Sequence, residues 1–390
     1  MSNLPAILGG APAFRTRANI VRPLLPEFSD LSEDTQKILN SGMVTKGQYL
    51  AAFEEAVAQH LGVKYAIAVS SCTAGLMLTY NSLDLTGEVL VPSFTFMATV
   101  GAMMWCGLKP VYVDVKAETT NIDPQAVEAA ITPQTSAIVA VHNFGNPAEI
   151  EALEKIAGRH GLKLIFDAAH GFGALYRGKP VGGQGNAQVF SMSPTKLLIT
   201  GEGGLVATND AALAEQIRIG REYGNSGSYD SAFAGLNARL PEFNALLGIN
   251  SLKMLEEAAC RRNETAAQYL HELGQIEGLG FQEIHPEDRC SYKDFSITID
   301  ADAFGLTRDQ LALALGAENI DTRKYYDPPV HRQTAYARFY TDPLPHTEWL
   351  ADNSLSLPMW SNMSTETAGK ITTAVRLIHA NADAIQRKLA

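Results

Sequence analysis

The sequence contains few cysteines, and their spacing provides neither a disulfide framework nor a metal-binding motif. Its 390 residues include only four, with no CxxC pair: Cys72, Cys106, Cys260 and Cys290. A chain of this length buries enough surface to fold without covalent cross-links. Scattered free cysteines are typical of a reducing compartment, so we predict a cytoplasmic protein. The sequence also lacks an HExxH motif and any Cys/His cluster, so we predict no metal site.

Positive charge is also scarce. Lys and Arg number 31 against 42 Asp and Glu, which gives a formal net charge of −11. This balance argues against non-specific binding to a nucleic-acid backbone, although a local pocket can still hold an anion. Hydrophobic residues make up 46% and charged residues 19% of the chain, which excludes general disorder. The N-terminal residues lack the basic start and apolar core of a signal peptide, so we expect none.

Long hydrophobic runs are absent except for one. The 20 residues between Glu88 and Lys109 carry no charge, which is long enough to suggest a membrane span. The run is interrupted by Pro92 and several polar residues and glycines. We therefore predict a buried strand around 89–91, a turn, and a buried helix from about Met97, with no membrane contact.

Seven short apolar segments alternate with helical patterns over the first 210 residues. Most are continuous rather than alternating apolar runs, as expected for strands covered on both faces. The predicted strands are KYAIAVS, EVLVP, KPVYVDV, SAIVAVHNF, LKLIFD, AQVFSM and GLVATN. Alternation of strands with helices, such as the one predicted over 147–161, indicates an α/β domain with a mostly parallel sheet.

The pattern changes after about residue 240. A long helical stretch is followed by a strand at Lys293–Asp300, a helix near Asp309–Leu315 and a last helix over Thr365–Lys388. We predict a large domain over residues 1–250, whose N-terminal segment packs on the second domain, and a smaller α+β domain over 251–390.

Three residues near the predicted strand ends could act together. In open α/β sheets, ligands bind at the carboxyl ends of the strands. Asp167 ends one strand, Ser191 follows another, and Lys196 lies 29 residues after Asp167. Taken singly, the aspartate could be a helix cap and the lysine a surface residue. Together they fit pyridoxal phosphate, which needs a lysine to bond its aldehyde and a carboxylate for its ring nitrogen.

Two further segments fit the same cofactor. SSCTAG, at 70–75, offers small residues and amides at a helix start, where a phosphate is held well. The alternative is a Ser or Thr helix cap. Phe96 could stack on a planar ring, and the alternative is ordinary core packing.

The motifs, in this order, resemble the DegT/StrS-type sugar aminotransferases of pyridoxal-phosphate fold type I, in the aspartate aminotransferase superfamily. The resemblance covers nearly the whole chain. The motifs that carry it are VTKGQYLAAFEEAVAQHLG, SSCTAGL, VPSFTFMAT, FDAAHGFGA, FSMSPTKLLITGEGG, GLNARLPEFNALLG, NIDTRKYYDPPVH and LADNSLSLPM. It implies a homodimer with active sites at the subunit interface.

The resemblance also implies roles for individual residues. Lys196 would be the Schiff-base lysine and Asp167 the partner of the ring nitrogen. The phosphate and the ring would be held by the following residues: Ser191, Cys72 and Thr73 at the phosphate, Phe96 on the ring, His170 near the phenolic oxygen, and Asn237 reaching the phosphate from the second subunit. His170 stands where the family most often has Gln. Cys72 stands where Gly is common, so we expect a negative φ there.

The implied reaction proceeds in two halves. An amino acid, commonly L-glutamate, leaves its nitrogen on the cofactor as pyridoxamine 5'-phosphate, and a keto sugar then takes it. The resemblance suggests a nucleotide-linked 4-keto- or 3-keto-6-deoxyhexose as acceptor. The candidate substrate contacts are Arg239, Arg323, Tyr325 and His331, together with Lys324, Arg332 and Tyr326.

Other functions remain open at this point. A glutamine-dependent keto-cyclitol aminotransferase fits the same motifs. A non-catalytic regulator that binds pyridoxal phosphate is less favoured, because no DNA-binding segment is visible. A nicotinamide-dependent dehydrogenase is excluded, since GGQGNA at 182–187 lacks the third glycine of GxGxxG and precedes a strand.

Overall fold

The computed structural model describes residues 4–389, and elements are numbered in chain order. The strands are β1 (Tyr65–Val69), β2 (Glu88–Pro92), β3 (Lys109–Val113), β4 (Thr135–Val141), β5 (Lys163–Asp167), β6 (Leu175–Tyr176), β7 (Lys179–Pro180), β8 (Ala187–Ser191), β9 (Gly204–Thr208), β10 (Leu279–Phe281), β11 (Phe295–Ile299) and β12 (Ser354–Leu357). The helices are α1 (Ser29–Ser41), α2 (Gln48–Leu61), α3 (Cys72–Ser82), α4 (Met97–Trp105), α5 (Pro124–Ala129), α6 (Ile150–His160), α7 (Ala211–Gly220), α8 (Glu242–Leu273), α9 (Ala301–Phe304), α10 (Arg308–Ala317), α11 (Pro345–Asn353), α12 (Thr365–His379) and α13 (Ala382–Leu389).

The seven predicted strands form one sheet, in the order β1-β9-β8-β5-β4-β2-β3. Strand β9 pairs antiparallel with both β1 and β8, and the remaining pairs are parallel. The prediction of a mostly parallel α/β sheet is therefore confirmed. Strand β1 also runs parallel to β8, because both are antiparallel to β9. The carboxyl ends of β1, β2, β4, β5 and β8 thus meet at one edge.

The sheet is buried on both faces, which explains its continuous apolar strands. Within β5, Leu164 and Phe166 pack into one hydrophobic cluster, and Ile165 packs into the other. Helices cover both faces: α3 packs against β8 and β9, α6 packs against β5, and α2 packs against β1 and α8. Successive side chains of a strand point to opposite faces, so each face needs its own apolar set.

The C-terminal part of the chain has a separate core around the three-stranded antiparallel sheet β10-β11-β12. The 32-residue helix α8 runs into this part, and residue 250 lies within it. The N-terminal residues pack here as well: Ala18 bridges to Ile320, and Phe14 joins the same cluster. The division of the chain near residue 250 into two domains stays a prediction.

Two stretches bear on the sequence predictions. The uncharged run forms β2 and α4, as predicted, and within residues 4–389 no helix is long and apolar enough to span a membrane. The predicted last helix is two helices, α12 and α13, which are separated near Asn381. The Asn381 side-chain amide donates to the Leu377 carbonyl at 2.8 Å, which satisfies a group that the helix end leaves free.

Candidate active site

A cavity of about 360 Å³ opens at the carboxyl edge of the sheet. Its walls come from the loops after β1, β2, β5 and β8 and from two segments of the C-terminal part. The predicted site residues that line it are Cys72, Thr73, Phe96, Asp167, His170, Ser191, Lys196, Tyr325 and Tyr326. The structure thus brings together residues more than 250 positions apart, at the edge that the topology indicated.

Lys196 lies in the turn that follows β8. Its backbone N–H donates to the Ser193 carbonyl at 3.0 Å, which holds the turn closed. The pKa of Lys196 is lowered to about 8, mainly because the amine is buried in the cavity and secondly because Lys293 carries a positive charge nearby. Within residues 4–389 its ammonium makes no ion pair. A larger fraction of this amine is therefore neutral at pH 7 than in an ordinary lysine, which suits a nucleophile.

The turn is fixed from behind by α8. The Ser251 hydroxyl oxygen accepts a hydrogen bond from the Ile199 N–H at 3.0 Å, and the Asn244 amide donates to the Thr200 carbonyl at 2.7 Å. Both partners belong to α8. The lysine loop is thus held by side chains of a long helix in addition to its own backbone hydrogen bonds.

Asp167 is the last residue of β5 and is 5% exposed. Its Oδ2 accepts a hydrogen bond from the Thr99 hydroxyl at 2.7 Å, and its Oδ1 accepts one from the Ala169 N–H at 3.0 Å. Burial nevertheless raises the pKa of Asp167, because the described chain supplies no cation in direct contact with it. A cationic ring nitrogen at this position would compensate for that cost.

The start of α3 lies at the cavity wall, where the N-terminus of a helix favours an anion. The Ser71 side chain caps the helix by accepting from the Ala74 N–H at 3.1 Å, and Cys72 and Thr73 follow at the cavity wall. Gly204, the first residue of β9, lies so close that an added Cβ would be 2.3 Å from the Ser71 carbonyl carbon. Cys72 is absent from the residues with positive φ, so the expectation of a negative φ is confirmed.

His170 presents an unsatisfied group next to these residues. Its Nδ1 is buried and has no hydrogen-bond partner within residues 4–389. Burial, with Lys196 and Lys293 nearby, lowers the pKa of His170 well below its usual range, so the imidazole is neutral at pH 7. A buried ring nitrogen without a partner is costly unless a ligand completes it.

Six predicted residues lie outside this cavity: Asn237, Arg239, Arg323, Lys324, His331 and Arg332. Lys324 pairs with Asp309 at 2.8 Å, and Arg332 pairs with Asp352 at 3.1 Å. Asn237 is exposed on the surface of the chain, and Arg239 pairs with Glu222 at 3.2 Å. Arg323 pairs with Asp321 at 3.0 Å and is exposed on its other side. Their assignments to phosphate or substrate stay predictions.

Of these six residues, His331 is buried away from the cavity. Its Nδ1 lies 2.7 Å from the Ser93 hydroxyl, and its ring stacks on Tyr340 with centroids 4.7 Å apart. These contacts connect the Pro-rich loop to the end of β2. The single chain therefore gives His331 a packing environment, and its role at the substrate also stays a prediction.

Sequence reasoning missed two charged residues of the cavity wall. Lys293 and Asp294 are each 6% exposed and form an ion pair, with Lys293 Nζ 2.9 Å and 3.0 Å from the two carboxylate oxygens. In the sequence they were only the polar start of a predicted strand. The available signal was weak, since two adjacent opposite charges before a strand are usually solvated.

A mostly parallel seven-stranded sheet with a buried lysine and aspartate at its carboxyl edge defines the class of fold type I aminotransferases. Residues 28–376 match the model of the DegT/DnrJ/EryC1/StrS aminotransferase family. The chain therefore belongs to this family and is an aminotransferase, an enzyme type that implies pyridoxal phosphate as cofactor.

Solved structures of similar proteins agree with this assignment. DesI, solved in the presence of its TDP-sugar product, is 36% identical, with 99% of each chain covered and a TM-score of 0.92. Helicobacter pylori PseC, an aminotransferase involved in the biosynthesis of pseudoaminic acid, is 28% identical over 93% of this chain and 98% of its own, with a TM-score of 0.85. Bacillus subtilis NtdA, solved with bound cofactor PMP, is 26% identical over 95% and 87%, with a TM-score of 0.85.

Proposed function

We propose that this enzyme transfers the amino group of L-glutamate to a nucleotide-linked keto-6-deoxyhexose in amino sugar biosynthesis. The observation that carries the proposal is the joint position of Lys196 and Asp167 in one cavity at the carboxyl edge of the sheet. The similarity to DesI, which was solved with a TDP-sugar product, supports a nucleotide sugar as acceptor. The position of the keto group, C4 or C3, is proposed from the family resemblance alone.

The residues present fit pyridoxal phosphate. The start of α3, with Cys72 and Thr73, and the Ser191 hydroxyl would hold the phosphate, because amides at a helix start favour an anion. Asp167 would hold the ring nitrogen, and Phe96, with 53% of its surface exposed at the cavity wall, would cover the ring. The unpartnered Nδ1 of His170 would face the phenolic oxygen.

When bound, the cofactor supplies an aldehyde that carries nitrogen and a ring that accepts electrons. Lys196 would hold that aldehyde at rest and, once free, would hold and move the proton at Nζ. Its pKa of about 8 lets Nζ both take and release a proton near neutral pH. Asp167, fixed by Thr99 and Ala169, would place a negative charge opposite the ring nitrogen.

We also propose a homodimer in which each site takes residues from both subunits. Asn237 is exposed and lies outside the cavity of its own chain. Exposed apolar side chains occur in the same part of the molecule, including Met43 at 54% and Tyr223 at 50% exposure. A second subunit that covers these side chains would bring Asn237, and with it Arg239, to the neighbouring phosphate.

The visible absorption spectrum of the purified protein, before and after addition of L-glutamate, tests the proposal. We expect a yellow protein whose visible band disappears with glutamate and returns with a suitable keto sugar. Lys196→Ala should abolish this response, and Lys155→Ala, which changes an exposed lysine of α6, should leave it intact.

Other outcomes separate the alternatives. A band that responds to glutamine but not to glutamate, with a keto-cyclitol as acceptor, would replace the sugar assignment. A colourless protein that stays colourless with added pyridoxal phosphate would contradict the cofactor.

A further inference from the structure

The Lys293–Asp294 ion pair stands in the wall of the active-site cavity. Both side chains line the cavity although each is only 6% exposed. The Lys293 ammonium also lies 5.5 Å from the centroid of the Tyr325 ring. Burying a charged pair is costly, and hydrophobic residues of similar size often stabilise a protein equally well. The pair therefore needs an explanation beyond stability.

The backbone that carries the pair is held at several points. The Ser291 N–H donates to the Gly145 carbonyl and the Lys293 N–H to the Phe144 carbonyl, both at 3.0 Å. The buried guanidinium of Arg262, in α8, donates to the carbonyls of Tyr292 at 2.9 Å and Lys293 at 3.1 Å. These contacts fix the direction in which Lys293 leaves the backbone.

Tyr292, immediately before the pair, has a φ of 45°. This φ lies in the left-handed region of backbone conformation, which residues other than glycine adopt rarely and at a cost in free energy. Strained backbone of this kind persists where the surroundings determine it, and it is most frequent at functional sites. The position of Lys293 is thus defined before any ligand arrives.

The charges of the cavity leave one cation for an anionic ligand. Among the described residues of its wall, the ammonium groups are those of Lys196 and Lys293, and the carboxylates are those of Asp167, Asp294 and Glu202. His170 is neutral at pH 7. Because Lys196 bonds the cofactor in the proposed function, Lys293 is the remaining cation that this chain offers inside the cavity.

The two substrates of the reaction make different demands on this position. An amino acid carries a carboxylate on the carbon that loses the amino group, whereas the reacting carbon of a keto sugar carries no charge. An ammonium has three donor hydrogens, so Lys293 can bind a second carboxylate while it stays bonded to Asp294. With a neutral sugar in the cavity, Asp294 alone balances its charge.

We propose that Lys293 binds the α-carboxylate of the amino donor, and that Asp294 holds the ammonium in place and neutralises it when the keto sugar occupies the same cavity. This inference rests on the proposed function and specifies how one site accepts both a donor with a carboxylate at its reacting carbon and an acceptor whose reacting sugar ring is uncharged. It makes Lys293 a residue that determines donor binding, with no part in bonding the cofactor.

Calorimetric titration of the holoenzyme with glutarate tests this role. Glutarate has the length and both carboxylates of glutamate but no amino group, so it binds without reacting. We expect Lys293→Met to weaken glutarate binding at least tenfold, as for loss of a hydrogen bond between charged groups. Lys155→Met, which removes an exposed ammonium paired with Glu151, is the matched control and should leave the dissociation constant unchanged.

A second variant keeps the test valid if Lys293→Met leaves Asp294 unpaired and unfolds the protein. Lys293→Met with Asp294→Asn removes both charges of the pair, so neither partner is left buried without the other. It should retain the visible cofactor band and the wild-type melting temperature, yet bind glutarate as weakly as the single variant. Equal glutarate affinity in wild type and in the double variant would overturn the proposal, as would a wild-type holoenzyme that does not bind glutarate. Failure of the proposed function is recognised separately, because it would appear as a missing visible band or as a band that does not respond to L-glutamate.

Discussion

The lowered pKa of Lys196 leads to a quantitative prediction about cofactor capture. Only a neutral amine attacks an aldehyde, so the capture rate should follow the neutral fraction, which rises as pH rises through the pKa. With a pKa of about 8 in place of 10.5, about 9% of the amine is neutral at pH 7 in place of about 0.03%, a difference of roughly 300-fold. We therefore expect Lys196 to capture the cofactor rapidly at neutral pH.

The assay uses apoprotein prepared by dialysis against an amino donor. Stopped-flow absorbance then records the appearance of the visible band after mixing with pyridoxal phosphate between pH 6 and 10. The rate should rise about tenfold per pH unit up to about pH 8 and then level off. Borohydride reduction followed by peptide mapping should find the label on Lys196.

Lys293→Met provides a further check on the cause of the shift. The positive charge of Lys293 contributes to the lowered pKa of Lys196, so its removal should move the plateau to higher pH. A wild-type rate that continues to rise up to pH 10 would refute the reasoning, because Lys196 would then have the basicity of an ordinary exposed lysine.

Three substitutions test the rest of the site. Asp167→Asn should preserve the fold, measured by circular dichroism, and slow transamination at least about a hundredfold; a near-normal rate would make Asp167 a helix cap. Thr99→Val removes the 2.7 Å hydrogen bond to Asp167, so cofactor affinity, measured by fluorescence titration, should fall about tenfold; unchanged affinity would mean that the carboxylate is held without it. Gly204→Ala would place a Cβ 2.4 Å from the Cys72 nitrogen, so cofactor affinity and melting temperature should both fall. Gly158→Ala, whose Cβ meets nothing within 4 Å in α6, is the matched control and should not lower the melting temperature.

The sheet could be predicted from the sequence because strands that are buried on both faces need apolar residues at successive positions, which gives each strand a continuous apolar run. Asp167 and Lys196 could be found because each follows such a run, and their partners lie at the same sheet edge. Local pattern and chemistry coincide there, so the prediction needed no knowledge of distant contacts.

Lys293 and His331 show why the rest was less accessible. Lys293 becomes buried because Arg262 and the Phe144 loop bind its backbone. Neither contact can be predicted from the residues that neighbour Lys293 in the sequence. His331 meets Ser93 across 238 positions of sequence. The sequence identified both as polar residues, but tertiary packing alone decides which of them reaches the cavity.

Helix α8 sets the spacing between the two backbone segments that carry Lys196 and Lys293. Ser251 fixes the loop of Lys196, and Arg262, eleven positions later, fixes the backbone of Lys293. One residue inserted between them would turn Arg262 by about 100° around the helix axis and displace it by about 1.5 Å. Homologous enzymes should therefore vary freely at the exposed residues between Ser251 and Arg262 while the number of residues between them stays constant. Insertions and deletions would be confined to the loops on either side.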